Sequence, residues 1–78
     1  MNISSDAVYL HVGSVSIQKS NILFFDHDAE NVYIILSGRK AAHYQDGNNI
    51  TVPYEEAVIE GQQPFASSAA LQAHLITM

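Results

Sequence analysis

Charged side chains are scarce in this sequence, where Asp, Glu, Lys and Arg make up 14% of the 78 residues. An ordinary soluble domain is about 25% charged. A small globule exposes a large surface for its volume, and charge normally keeps that surface solvated and the protein monomeric. The surface of this chain must therefore consist mostly of uncharged polar and apolar side chains. Such a surface favours lasting contact with other protein molecules.

Cysteine is absent, so no disulfide can reinforce the fold. At 78 residues the chain has room for one domain, which we expect to span residues 1–78. A domain of this size buries roughly 60–65% of the surface that its unfolded chain exposes, and its stability alone is marginal. Association with other protein chains is the reinforcement that this composition favours.

Basic residues are also few, three against eight acidic ones, which gives a formal net charge of −5. Lys19, Arg39 and Lys40 are too few and too scattered to neutralise a phosphate backbone or an anionic lipid surface. We therefore expect no nucleic-acid partner and no membrane partner. No apolar run approaches the ~20 residues that cross a bilayer, and the N-terminal sequence lacks the pattern of a signal peptide. We expect a soluble protein made in the cytoplasm.

Alternating apolar residues predict strands over residues 7–54. The alternation changes parity at Gly13, which predicts either one long bent strand over 7–18 or two short strands. Two apolar runs at 22–25 and 32–36, joined by a polar loop, predict a hairpin. Both runs are apolar on both faces, which is typical of the centre of a sheet covered on two sides.

Two further strands are predicted at 40–45 and 50–54, and the second ends or lies at a sheet edge at Pro53, because proline cannot donate to the ladder. The segment 55–64 is acidic and irregular, although residues 58–59 could pair briefly.

The tail over residues 65–78 carries no charge. Leu71, Leu75 and Met78 fall on one stripe of a helix whose N-cap is Ser67 or Ser68. A solvent-facing helix normally carries charge opposite its apolar stripe, so we expect this helix to be covered on more than one side.

These patterns together predict an α+β fold in which one C-terminal helix packs on a small antiparallel sheet of about five strands. A small all-β sandwich is the alternative. The strongest candidates for interface residues are the apolar side chains of the tail, namely Phe65, Leu71, Leu75, Ile76 and Met78. Open strand edges near Ala7–Val12 or Ile50–Tyr54 could also pair with another chain.

Asp26, Asp28 and Glu30 are weak candidates for metal ligands, because their spacing is similar to that of a calcium loop. The sixth position of such a loop is Asn31 where glycine is needed, and the twelfth is Ser37 where a bidentate Glu is needed. We interpret the segment as a solvated hairpin loop and predict no metal ion.

Four histidines are spread along the chain, at His11, His27, His43 and His74. None of them forms the close-spaced pair that is typical of zinc ligands. We interpret them as scattered, half-buried strand histidines. A pH-sensitive interface is favoured over a metal site, because a histidine buried between chains would titrate near neutral pH. Ser, His and Asp are all present, but without a nucleophile motif or a Gly-rich phosphate loop. We therefore expect no catalytic residues, no cofactor and no enzymatic activity.

Short strands, tight polar turns, few charges and the Ala/Ser-rich segment Pro64–Leu71 together resemble the small accessory structural proteins of tailed bacteriophages. The resemblance implies a repeated subunit of the virion, as a capsid decoration, a head–tail connector or a tail component. The alternative is a small cytoplasmic regulatory or adaptor domain that binds one protein partner.

A second resemblance covers residues 21–40. The apolar runs and the Ser-Gly-Arg-Lys sequence that follows them are similar to the central hairpin of LytTR-type DNA-binding domains. This resemblance implies a DNA-binding hairpin, whereas the acidic charge balance of the chain favours protein partners.

Overall fold

The computed structural model describes residues 1–37, 49–62 and 64–78. Within these residues the chain forms seven β-strands in two sheets and one C-terminal α-helix, which confirms the predicted α+β fold. The strands are divided between a sheet of four and a sheet of three, whereas the sequence predicts a single sheet. The strand predicted at 40–45 lies outside the described residues.

The strands, in chain order, are β1 (Asn2–Ser5), β2 (Tyr9–Val12), β3 (Val15–Gln18), β4 (Ile22–His27), β5 (Asn31–Leu36), β6 (Asn49–Pro53) and β7 (Val58–Ile59). The helix is α1 (Ser68–Ile76). Short 3₁₀ turns at Lys19–Asn21 and Tyr54–Glu56 follow β3 and β6.

The four-stranded sheet has the order β3-β2-β1-β7. Residues 7–18 form two short strands, the second of the predicted alternatives, because Val12 pairs with Val15 across a tight turn. Gly13 has a φ of +60° in this turn, a conformation that suits glycine. The predicted open edge at Ala7–Val12 is wrong, since β2 lies between β1 and β3. The strand β7 pairs parallel to β1, which confirms the brief pairing predicted at 58–59.

The three-stranded sheet has the order β4-β5-β6, with both neighbouring pairs antiparallel. The predicted hairpin is confirmed as the β4–β5 pair. Of these two strands only β5 is central, as predicted. Among the described strands β4 has a partner on one side only, and several of its side chains are exposed. Among the strands that the structure describes, the other edge is β6, which ends at Pro53, in agreement with the edge predicted near Ile50–Tyr54.

The helix α1 packs against β4 and β5. Its N-cap is Ser67, whose Oγ accepts a hydrogen bond from the Ala70 backbone N–H at 3.1 Å. Leu71 and Leu75 are buried, whereas the opposite face of the helix is exposed. Among the described residues, therefore, the sheet covers α1 on one side only.

Both sheets and the helix contribute to one cluster of buried apolar side chains. Its members are Ile3, Leu10, Val12, Ile17, Val32, Ile34, Leu36, Val52, Ala57, Ile59, Leu71 and Leu75. Within the ranges that the structure describes, no helix has both the length and the apolar character that a membrane span requires.

Candidate functional site

The outer edge of β4 carries two large exposed apolar side chains. The pairing of β4 with β5 is regular from Phe24 to His27, but Ile22 pairs with Leu36 and Phe24 with Ile35, so Leu23 is an extra residue in a β-bulge. A bulge breaks the strict alternation of a strand, and adjacent side chains need no longer point to opposite faces. Leu23 is 63% exposed and Phe24 is 55% exposed.

The last turn of α1 adds a third exposed apolar side chain beside this edge, Ile76, which is 59% exposed. Between the helix and β4 lies an open groove with a volume of about 260 Å³. Its lining includes Leu23, Phe24, Phe25, Ile76 and Met78. We call the exposed side chains of Leu23, Phe24 and Ile76, together with this groove, the β4–α1 patch.

Lys19 lies at the border of the groove and provides its positive charge. Its Nζ donates a hydrogen bond to the backbone carbonyl of Met78, which links the 3₁₀ turn before β4 to the residue that follows α1 by two positions. An ammonium group has three donors, so two N–H groups of Lys19 can still serve another acceptor. The patch is thus apolar in its centre and cationic at one end.

The predicted interface residues of the tail lie in different environments. Leu71 and Leu75 are 0% and 2% exposed and belong to the core of the chain, so neither offers a surface to a partner. Their helical stripe is the one that packs on the sheet, and this burial corrects the prediction that they contact other chains. Phe65 and Met78 are half-buried against the same core. Of the five, Ile76 alone is largely exposed.

Sequence analysis did not identify Leu23 and Phe24 as surface residues. A run of four apolar residues at 22–25 is typical of a strand buried on both faces. The extra residue that makes β4 bulge leaves no mark in composition or periodicity, so no signal in the sequence distinguishes this edge strand from a central one.

The loop between β4 and β5 contains the weak metal candidates. Asp28 Oδ1 accepts the backbone N–H groups of Glu30 and Asn31 at 2.8 Å each, and Oδ2 accepts the Tyr33 hydroxyl at 2.5 Å. The hydrogen bond from Tyr33 contributes most, and together these hydrogen bonds hold the pKa of Asp28 below its ordinary value. Both oxygens of the Asp28 carboxylate therefore accept hydrogen bonds within the loop and the strand that follows it.

Asp26 is directed to the local backbone as well, since its Oδ1 accepts the N–H of His27 at 2.8 Å. Among the residues that can be described, no group of three or more His, Cys, Asp or Glu side chains is placed to hold a metal ion. A shallow acidic hollow elsewhere is lined by Glu30, Glu55 and Glu56 with Asn31 and Pro53.

Asp6, His11 and Ser16 form a hydrogen-bonded chain on the outer face of the four-stranded sheet. His11 Nδ1 lies 2.8 Å from Ser16 Oγ, and His11 Nε2 lies 3.2 Å from Asp6 Oδ2. Asp6 Oδ1 also accepts the backbone N–H groups of Tyr9 and Val8. These two backbone hydrogen bonds and that of His11 lower the pKa of Asp6 to about 2.

The residue types in this chain are those of a serine-hydrolase triad, but the surroundings of an acyl-transfer site are missing. Neither the groove beside β4 nor the acidic hollow borders Asp6, His11 or Ser16. The side chains of His11 and Asp6 are 36% and 57% exposed, so water surrounds the imidazole and the carboxylate. Catalysis of this kind needs a held substrate and donors preorganised around a developing oxyanion. The chain of hydrogen bonds joins the turn after β1 to the β2–β3 hairpin.

The remaining described histidines contact the tail. His27 Nδ1 is hydrogen-bonded to Gln72 Oε1, which joins the end of β4 to α1. The ring of His74 packs on that of Phe65 with 5.7 Å between centroids. His43 lies outside the described residues.

Comparison with known protein families, with curated proteins and with solved structures finds no match to this chain. The argument for its function therefore depends on the β4–α1 patch and on the composition of the chain.

Proposed function

We propose that this chain is a non-enzymatic structural protein that acts by protein–protein contact, as a repeated subunit of an assembly. The observation that supports this proposal is the β4–α1 patch, in which Leu23, Phe24 and Ile76 are each more than half exposed beside an apolar groove. Scattered exposed apolar residues are ordinary, whereas exposed apolar residues that lie side by side are typical of an interaction surface. An edge strand also invites contact with a neighbouring chain.

The proposed assembly is the particle of a tailed bacteriophage, and this part of the proposal comes from the resemblance of the Ala/Ser-rich tail and the low charge. A subunit held by many neighbours does not need a charged coat, because neighbouring chains shield its surface from water. Repetition also allows weak individual contacts to combine into firm attachment. A chain with 14% charged residues suits that role.

Sedimentation velocity of the purified chain over a range of concentrations, with and without 1 M salt, tests the proposal. We expect self-association that 1 M salt maintains or strengthens, because burial of apolar area drives it and salt screens only charges. A transient adaptor domain would instead sediment as a monomer at micromolar concentration in both buffers. That result would overturn the proposed role.

Two matched variants assign the association to the patch. Phe24→Asp places a charge in the patch, at a side chain that is 55% exposed. Val58→Asp places a charge on β7, outside the patch, at a side chain that is 56% exposed. We expect Phe24→Asp to weaken self-association about thirty-fold or more, as loss of a central aromatic anchor does, and Val58→Asp to leave it unchanged. Equal effects of the two variants would show that the patch is not the surface used.

A further inference from the structure

We propose that the β4–α1 patch binds the same patch of a second copy of this chain, with the two β4 strands antiparallel about a two-fold axis. This inference rests on the proposed function, since it names the partner and the geometry of that same surface. It is carried by the shape of the patch and by the distribution of charge along β4.

The shape of the patch is self-complementary. A two-fold interface brings a surface against itself, so a protrusion on the patch must meet a recess on the same patch. Here 55% of the surface of Phe24 is exposed, and Phe24 lies at the wall of the groove of about 260 Å³. Each copy can therefore insert its Phe24 into the groove of the other.

The charges flanking β4 determine the direction of pairing. Lys19 precedes the strand, Asp26 lies near its end, and the residues between them are uncharged. Lys19 lies in the 3₁₀ turn that leads into β4 and Asp26 in the last part of the strand. An antiparallel arrangement about an axis near Leu23 therefore brings the Lys19 end of each copy toward the Asp26 end of the other. A parallel arrangement would place like charges together at both ends, which costs free energy.

The area that a stable dimer needs explains why these end charges matter. The chain exposes 4869 Å² in total, and an interface of standard size covers about 800 Å² per partner, roughly one sixth of it. Three apolar side chains alone do not cover such an area, so the contact must extend along β4 in both directions. It then reaches Lys19 at one end and Asp26 at the other.

Charge reversal tests the arrangement. Lys19→Glu and Asp26→Lys should each weaken self-association about tenfold, because each creates two like-charge pairs across the two-fold axis. An equimolar mixture of the two variants should associate about as tightly as the original chain, because the heterodimer contains two opposite-charge pairs. Isotope-labelled copies of one variant, analysed by native mass spectrometry, report the heterodimer directly. A mixture that associates no better than either variant alone overturns the antiparallel arrangement.

Disulfide trapping provides a second measurement that does not alter charge. The chain has no cysteine, so a single introduced thiol can form a disulfide only with the same thiol of a second molecule. Leu23 lies beside the proposed axis, within the short Cα separation that a disulfide requires. Under mild oxidation Leu23→Cys should form a covalent dimer at least tenfold faster than the control Val58→Cys, as expected when contact raises the effective concentration of the second thiol. Equal rates overturn the inference.

The outcomes separate this inference from the proposed function. If the chain self-associates through Phe24 but neither charge reversal nor trapping behaves as expected, the structural role stands and the two-fold arrangement falls. If the chain is a monomer at every concentration, both fall together.

Discussion

Leu71 and Ile76 lie on the same short helix, yet Leu71 is 0% exposed and Ile76 is 59% exposed. The difference arises because Leu71 lies on the face of α1 that packs on β4 and β5, whereas Ile76 lies at the open groove beside the edge of β4. Both residues were equally good interface candidates in the sequence. Their burial assigns Leu71 to the core and leaves Ile76 on the surface, where the proposed contact can use it.

We expect Leu71→Ala to reduce the free energy of unfolding by about 2–5 kcal/mol, because it leaves a cavity in the core. Ile76→Ala should change that free energy by about 0.5 kcal/mol or less, since an exposed side chain loses little packing. Urea unfolding at a protein concentration low enough to exclude self-association measures both. Similar losses for the two variants would contradict the assignment of Ile76 to the surface.

Asp6 makes the chain less stable in acid. Its pKa in the folded chain is about 2, below the ordinary value of 3.8 that applies to the unfolded chain. The folded chain therefore binds fewer protons than the unfolded chain in this range, so the stabilisation is complete above about pH 4 and is lost as pH falls toward 2.

In Asp6→Asn the part of the acid sensitivity that Asp6 contributes should disappear, so its stability should fall less steeply between about pH 4 and pH 2. Unfolding midpoints in urea at several pH values measure the slope, and the carboxyl carbon chemical shift of Asp6 reports its pKa directly. Asp28, whose pKa is lowered too, leaves some acid sensitivity in the variant. A titration of Asp6 near 3.8 would contradict the hydrogen-bonded turn.

At the scale of elements, β4 and β5 show how similar sequences acquire different roles. Both are apolar runs, but β5 pairs on both sides and β4 on one side only among the strands of the described chain. The bulge at Leu23 then exposes two neighbouring side chains of β4, whereas β5 keeps a strict alternation of buried and half-buried residues. Position in the sheet, and not hydrophobicity, makes β4 the contact strand.

The N-cap of α1 affects both the helix and the patch, because Ile76 lies beside β4 only while the helix is formed. Ser67→Ala removes the acceptor for the Ala70 N–H and should cost about 1 kcal/mol of unfolding free energy. Ser67→Asp restores an acceptor and should retain most of the stability. Urea unfolding and helical circular dichroism of the two variants check the expectation, which fails if both behave alike.

At the scale of the molecule, the two small sheets and the helix of the described residues share a cluster of buried side chains. A core of this size gives marginal stability, and the chain has no disulfide to add to it. Burial of the β4–α1 patch against a second copy would supply further apolar contact. In the proposed assembly, folding and association are then linked by mass action.

The thermal midpoint of the chain should therefore rise with protein concentration. For a dimer whose partner binds only the folded state, each tenfold increase in concentration shifts the equilibrium toward the associated form and raises the midpoint by a few degrees. Phe24→Asp should have a midpoint that does not depend on concentration, and Val58→Asp should behave as the original chain does. Calorimetry at several concentrations measures this, and a constant midpoint for the original chain would contradict the linkage.

Local patterns in the sequence were sufficient to predict the helix with an N-cap at Ser67 or Ser68, the β4–β5 hairpin and the end of β6 at Pro53. Each is set by residues close together in the chain. The strand β1 has one buried apolar residue, Ile3, and its partner β7 is remote in sequence. Because such pairings depend on the tertiary fold, the sequence predicted neither β1 nor the division into two sheets.

The candidate site was predicted only in part for the same reason. Ile76 was identified from the apolar tail, but its exposure depends on which helical face packs on the sheets. Leu23 and Phe24 became surface residues through a bulge and an edge position, both of which are properties of the assembled sheet. Leu71 and Leu75 show the converse, because a stripe that suits an interface suits a core equally well.

The parallel pairing of β1 with β7 has a consequence for synthesis of the chain. The N-terminal ammonium group of Met1 donates to the Glu56 carbonyl at 2.7 Å, and the Val58 N–H donates to the Met1 carbonyl at 2.8 Å. During translation β1 is synthesised more than fifty residues before β7, so its partners on this side are made much later. The outer edge of β1 stays open on the ribosome throughout that interval, when unpaired edges favour misassembly. Slower elongation between β6 and β7 would lengthen the exposure and lower the yield of correctly folded chains.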